Sequence, residues 1–220
     1  MTYAIGDIHG CRVALETLID RLAISADDKL IFLGDYIDRG SDTKGVVNYL
    51  LNLQEGFDMV HLMGNHEVHL RGAYDSTKIF QFFISDLVGG MATLESYGGD
   101  LESIPESHRK FLIDDAQLYY ETESHIFVHG GVEANVALNR QQESVLTSKR
   151  FQDPIPHKTG KVMICGHTIQ KEVPMNYQGH SICIDTGCYR KGWLTALQVE
   201  TGRYFQTNQK GKYREGRLIT

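Results

Sequence analysis

Apolar and polar positions alternate along this chain in two distinct periods. Short runs of strand character recur at Tyr3–Ile5, Lys29–Leu33, Met59–Met63, His125–Val128, Val162–Cys165, Ile182–Ile184 and Leu194–Val199. Helical patterns separate the first three. Residues 11–23 place Val13, Leu15, Leu18, Ile19 and Leu22 on one face at a 3.6-residue period, and residues 44–53 do the same with Val46, Val47, Leu50, Leu51 and Leu53. Strand–helix–strand alternation implies parallel pairing with helices on the sheet faces. The later runs lie closer together and are joined by turns such as Asn176–Gly179, which predicts antiparallel pairing there. The expected fold is mixed α/β, with two sheets or one large mixed sheet sandwiched by helices.

The middle of the chain, about 66–120, reads as helical. Pro105–Ala116 has a proline and an acid in its first turn, and the Gly89-Gly90 and Gly98-Gly99 pairs punctuate the segment. It is expected to form a helical cap beside the site. With only four prolines, no internal repeat and no long polar stretch, the chain reads as one domain over residues 1–220.

Composition narrows the function classes. At 41% hydrophobic and 23% charged residues, the chain has the make-up of a globular protein. A formal net charge of −6 and a pI near 5.9 leave no basic field for nucleic acid or a membrane surface, though a local positive centre could still draw a small phosphorylated substrate. The N-terminal residues lack a basic, apolar leader, and no apolar run approaches the ~20 residues of a membrane span. Four scattered cysteines, Cys11, Cys165, Cys183 and Cys188, form no CxxC pair and fit a reduced, cytoplasmic setting.

The chemistry sits where the apolar runs end. Gly6-Asp7-Ile8-His9-Gly10 follows the first run, and Gly34-Asp35-Tyr36-Ile37-Asp38-Arg39-Gly40 the second. Gly64-Asn65-His66-Glu67, His129-Gly130-Gly131 and Gly166-His167-Thr168 follow three more. Ligands collect outside the carboxyl ends of strands in open α/β sheets, so these clusters should converge on one crevice. Asp, His and Asn offer oxygen and nitrogen donors without a thiolate, which suits Mn²⁺, Fe or Zn²⁺ in an open site. Two ions ~3.5–4 Å apart and bridged by a carboxylate form the arrangement that drives in-line attack on phosphorus. Set against the carboxylates of Asp7 and Asp35 and a bridging hydroxide, two dications leave a centre of about +1, which attracts phosphate locally.

The ordered set GDIHG, GDYIDRG, GNHE, HGG and GH resembles the phosphoprotein phosphatase family of metallophosphoesterases, with their calcineurin-like fold, and especially its compact bacterial serine/threonine phosphatases. The motifs span residues 6–167, and the likeness extends to Ile184-Asp185-Thr186-Gly187-Cys188 and Leu194-Thr195-Ala196-Leu197. The resemblance implies two divalent ions, with Mn²⁺ expected. Asp7, His9 and Asp35 would hold one, and Asp35, Asn65, His129 and His167 the other. It further implies that His66, held cationic by Asp38, protonates the leaving oxygen while a dimetal-bridging hydroxide attacks phosphorus. Arg39 would grip the phosphoryl oxygens, with Asn65 beside it. Many members carry a second gripping arginine after HGG; here Arg150 is the expected counterpart and Lys149 the alternative. Glu67 and Tyr36 are expected to be structural.

The family divides by substrate. Related bacterial members cleave diadenosine tetraphosphate symmetrically, and in that group the second motif tends to lose its Asp-Arg pair. Retention of Asp38 and Arg39 therefore points to a phosphomonoester hydrolase of the protein serine/threonine phosphatase type, dual specificity included. Symmetrical diadenosine tetraphosphate hydrolysis is the alternative. A non-catalytic phosphate- or metal-binding module is a third reading, opposed by the completeness of the motifs. The expected partner is a phosphorylated protein or small phosphate ester, and a monomer suffices for such a site.

Overall fold

The computed structural model describes residues 1–219. Eleven strands form two sheets rather than one. The first three strands, β1 (Thr2–Ile5), β2 (Lys29–Phe32) and β3 (Asp58–His61), pair in parallel. Two helices, α1 (Arg12–Leu22) and α2 (Thr43–Leu53), connect them as the alternation predicted. On the other side of β1 the strands β9 (Leu194–Gln198), β10 (Arg203–Thr207) and β11 (Tyr213–Arg217) add on antiparallel, giving the order β11-β10-β9-β1-β2-β3. The second sheet has the order β4-β5-β6-β8-β7, from β4 (Tyr119–Glu121), β5 (His125–Val128), β6 (Val162–Cys165), β7 (Met175–Tyr177) and β8 (Ser181–Cys183). Its three central strands are parallel and its two edges antiparallel.

Side-chain alternation decides how the layers stack. Ala4, Ile31, Leu33, Val60, Phe127, Ile164 and Leu197 point between the sheets and form their shared core. Their neighbours Ile5, Leu30 and Phe32 point the other way, onto Leu15, Leu18, Val46 and Leu50 of α1 and α2. A strand covered on both faces reads as an unbroken apolar run, which is why these strands were visible in the sequence. Val13 does not lie on the buried face of α1; it is 48% exposed, and Ala14 takes the buried position.

The cap is helical as expected, within narrower bounds. It comprises α3 (Asn65–Asp75), α4 (Thr77–Phe83), α5 (Met91–Tyr97) and α6 (Glu106–Arg109), the last continuing as a π-helical turn over Lys110–Asp114. Residues 119–121 are already strand. Pro105 caps α6 from outside its first turn. A further short helix, α7 (Glu143–Ser148), closes the outer face of the second sheet through Leu146. Among the described residues no helix is long and apolar enough to cross a membrane. All four cysteines are buried thiols.

Candidate metal centre

Six parallel strands, three from each sheet, aim their carboxyl ends at one crevice. The loops after β1, β2, β3, β5 and β6 carry the five predicted clusters, and the loop after β8 adds Asp185. Asp7, His9, Asp35, Arg39, Asn65, His66, Arg150 and His167 line a single cavity of about 320 Å³. His129 is fully buried next to these lining residues, with Nε2 3.2 Å from Asn65 Oδ1.

The backbone is bent hard to achieve this. His9, Asp35, Asp38, Arg39 and His167 all adopt positive φ, between 46° and 69°. Such conformations are sparsely populated by non-glycine residues and persist only where surroundings enforce them. Two glycines make room for carboxylates: a Cβ on Gly64 would come within 2.1 Å of Asp35 Oδ1, and one on Gly166 within 2.2 Å of Asp7 Oδ1.

Asp35 is the hub. Its Oδ2 lies 3.4 Å from His9 Nε2, 3.3 Å from His129 Nε2 and 3.8 Å from His66 Nε2. His9 Nδ1 bonds Ile37 O at 2.7 Å and His129 Nδ1 bonds Leu33 O at 2.9 Å. In each case Nδ1–H donates to a backbone carbonyl, which orients the ring with Nε2 facing Asp35. Two groups of side chains can each converge on one cation, His9–Asp35–His66 and Asp35–His129–His167, and Asp35 belongs to both. The second group matches the predicted set, with Asn65 beside it. The first differs: His66 stands where Asp7 was expected, while the Asp7 carboxylate accepts the backbone N–H of His167 at 3.1 and 3.2 Å.

The charge state tests whether cations fit. Burial, reinforced by Asp185 and Asp35, pushes the Asp7 carboxyl well above its ordinary range, and no cationic side chain among the described residues pairs with it. Asp185 is raised to about 6, chiefly by burial. Burial also raises Asp35, but His129 and His66 outweigh it and hold Asp35 well below the carboxylate range. Desolvation lowers His9 to about 3 and His167 to about 4, favouring neutral imidazoles. Burial lowers His129 too, but Asp35 outweighs it and raises that ring, so His129 and Asp35 form the charged pair of the centre. Neutral His9 and His167 beside the uncompensated carboxyls of Asp7 and Asp185 complete a donor set that divalent ions fit.

His66 Nδ1 meets Asp38 Oδ2 at 2.6 Å. Burial brings His66 down to about 4 and pushes Asp38 well up, so both partners are driven toward their neutral forms rather than toward a standing imidazolium–carboxylate pair. The cap fixes this pair. Thr93 of α5 donates from Oγ1 to Asp38 Oδ1 at 2.6 Å and accepts the Asp38 N–H at 2.8 Å. Backbone carbonyls of Val88 and Gly89 take the Arg39 Nε and N–H. Glu67 is structural as expected: its carboxylate accepts the N–H groups of Asp35, Tyr36 and Gly64, each at 2.9 Å. Tyr36 is fully buried and donates to Leu62 O at 2.8 Å. Of the two basic candidates after HGG, Arg150 lines the cavity, whereas Lys149 Nζ donates to Val132 O at 2.8 Å.

Sequence reading missed Asp185, Thr93, Tyr189 and Arg190. Asp185 carried the same signal as its neighbours, an apolar run ending in acid and glycine. A lone threonine in a helix carries none.

Comparison with known proteins agrees with the geometry. The profile described as calcineurin-like phosphoesterase matches residues 2–189. A symmetrical bis(5'-nucleosyl)-tetraphosphatase of Nitrosomonas europaea is 28% identical over 69% of this chain, and the match spans about half (54%) of that relative's length. An asymmetrical bis(5'-nucleosyl)-tetraphosphatase of Anoxybacillus flavithermus is 26% identical over 88% of both chains. Among solved structures, a candidate diadenosine tetraphosphatase superimposes with a TM-score of 0.67 at 20% identity, covering 100% of this chain and 94% of its own. Protein phosphatases share the fold as well. The chain belongs to the calcineurin-like phosphoesterase family.

Proposed function

We propose that the chain hydrolyses the phosphoanhydride bonds of dinucleoside polyphosphates at this cavity, using two divalent cations. One observation carries the chemistry: two ligand groups share Asp35, which lines one cavity together with Arg39 and Arg150. The substrate class is supported by relatives named tetraphosphatases, one of them similar along nearly the whole chain. This exchanges the order of the two readings drawn from the motifs, because the names of the relatives outweigh the retention of the Asp38–Arg39 pair.

Asp7, His9, Asp35, Asn65, His129 and His167 would hold the ions; this mixed oxygen and imidazole donor set accepts Mn²⁺, the expected ion, as well as Fe or Zn²⁺. When bound, the ions supply Lewis-acid polarisation of a phosphoryl oxygen and activation of water as nucleophile. The rest belongs to the chain. Arg39 and Arg150 bind and orient the phosphoryl oxygens as planar, permanently charged donors. His66 faces the cavity through Nε2, where it can carry a proton to the leaving oxygen, and Asp38 fixes its ring through Nδ1.

The test is a side-by-side assay of the Mn²⁺-loaded protein on diadenosine tetraphosphate, a phosphoserine peptide and an aryl phosphate. The expected kcat/KM for diadenosine tetraphosphate exceeds that for the peptide about tenfold or more, equivalent to about 1.4 kcal/mol of transition-state discrimination. The products reveal the bond cut, two ADP for the symmetrical reaction and ATP plus AMP for the asymmetrical one. A peptide preference would restore the protein phosphatase reading, which retention of the Asp38–Arg39 pair favours.

A further inference from the structure

Tyr189 and Arg190 end a short turn, Cys188–Arg190, that follows Asp185, and both line the cavity. Gly187 before the turn and Lys191 after it are both left-handed at φ 67°, and Gly192 N–H donates to Gly187 O at 3.0 Å. The turn is therefore held in shape rather than left trailing.

Tyr189 Oη accepts two guanidinium donors at once, Nη1 of Arg39 and Nε of Arg190, the latter at 2.7 Å. Both guanidiniums also lie against its ring, with Cζ 4.6 Å and 5.3 Å from the centroid. An oxygen that accepts twice has committed its lone pairs, so its own proton is free to be donated. No acceptor for that proton is found among the described residues.

Location as well as charge pairing marks these arginines: Arg21, Arg109, Arg140 and Arg217 also lack a carboxylate partner among the described residues, but none of them lines this cavity. Arg12, Arg71, Arg203 and Arg214 each meet a carboxylate. Arg39, Arg150 and Arg190 meet none among the described residues, although the chain is acidic overall and all three line one cavity. Arg39 and Arg150 suffice for the three free oxygens of a single phosphoryl group. A third guanidinium, tethered to the first through one phenol, exceeds that need and lies one side chain farther along.

We propose that Tyr189 and Arg190 form a second phosphate subsite, which holds the phosphoryl group next to the one attacked in a linear polyphosphate. The subsite deepens the phosphoanhydride reading and rests on it. Arg190 presents its two terminal nitrogens to the non-bridging oxygens of that neighbouring group. Tyr189 supplies one O–H and keeps Arg39 and Arg190 in register.

Binding of two non-hydrolysable probes, methylenediphosphonate and methylphosphonate, tests this by titration calorimetry on the protein in buffered excess Mn²⁺. Wild type should bind the diphosphonate more tightly. Arg190→Ala should weaken diphosphonate binding about fivefold to tenfold, just below the range for a charge-assisted bond because the side chain is exposed, and shift methylphosphonate less than twofold. Tyr189→Phe, which also releases Arg39, should weaken both probes and the diphosphonate more, and Arg190→Lys should recover part of the Arg190→Ala loss. Equal losses for both probes, or no loss for either, would overturn the subsite. No turnover enters the measurement, so a selective loss in Arg190→Ala supports the subsite even if the substrate assay returns a peptide preference. A tetraphosphate preference with no selective loss would remove the subsite alone.

Discussion

His66 lies within reach of two neighbours that imply different roles. Its Nε2 stands 3.8 Å from Asp35 Oδ2, within reach of a shared cation with His9, while its Nδ1 is tied to Asp38. If its work is proton delivery, His66→Asn should leave bound metal nearly intact. The variant should lower kcat by ~10²–10⁴-fold, most for the poorest leaving groups. Metal analysis beside a leaving-group series decides the matter; loss of one metal equivalent would make His66 a ligand instead. The motif residues were legible because each glycine–acid–histidine cluster follows an apolar run. Thr93 was not legible, since its contact with Asp38 spans 55 residues of sequence.

At the scale of elements, the cap is secured by a neutral histidine. His108 of α6 accepts the Tyr97 hydroxyl at Nδ1, 2.8 Å away, and donates from Nε2 to Asn48 Oδ1 of α2 at 3.1 Å. Burial lowers its pKa, with Lys44 adding to the effect. The unfolded chain, with an ordinary histidine pKa of ~6.5, therefore takes up this proton before the folded one does. The contribution of His108 to stability is complete above pH ~6.5 and is lost as the pH falls through its depressed folded value. Urea midpoints measured from pH 7.5 down to 5.5 should fall more steeply for wild type than for His108→Gln, and identical slopes would rule the histidine out. Strand legibility followed burial. The strands β1, β2, β5 and β6 are covered on both faces and read as apolar runs. Their opposite is β11, an edge strand of Tyr213-Arg214-Glu215-Gly216-Arg217, whose charges suit an unpaired edge and hide its period.

Across the whole molecule, two sheets converge on one pit of buried acid. Asp7, Asp35 and Asp185 belong to three different strand ends, and burial beside the charged Asp35 opposes the ionisation of Asp7 and Asp185. Cations bound there relieve that repulsion in the folded state only, so metal should stabilise the fold as well as the reaction. At a free metal concentration of about a hundred times Kd, the linkage amounts to ~2.7 kcal/mol. Thermal unfolding of the Mn²⁺-loaded protein should accordingly drop by about 5–10 °C on chelation and recover on readdition. An unchanged midpoint after metal removal would show that the acids are accommodated without ions.

The division between sequence and structure follows from range. The sequence alone determined the strand–helix alternation, the place of the clusters at strand ends and the donor chemistry, because these depend on neighbours a few residues apart. Tertiary structure decided that the strands split into two sheets and that His66 comes close to both His9 and Asp35. It also decided that α5 holds the Asp38 carboxyl and that three arginines without carboxylate partners line one cavity. Each of these is a contact across tens of residues, set by packing and by the cost of burying charge, and neither leaves a local period to read.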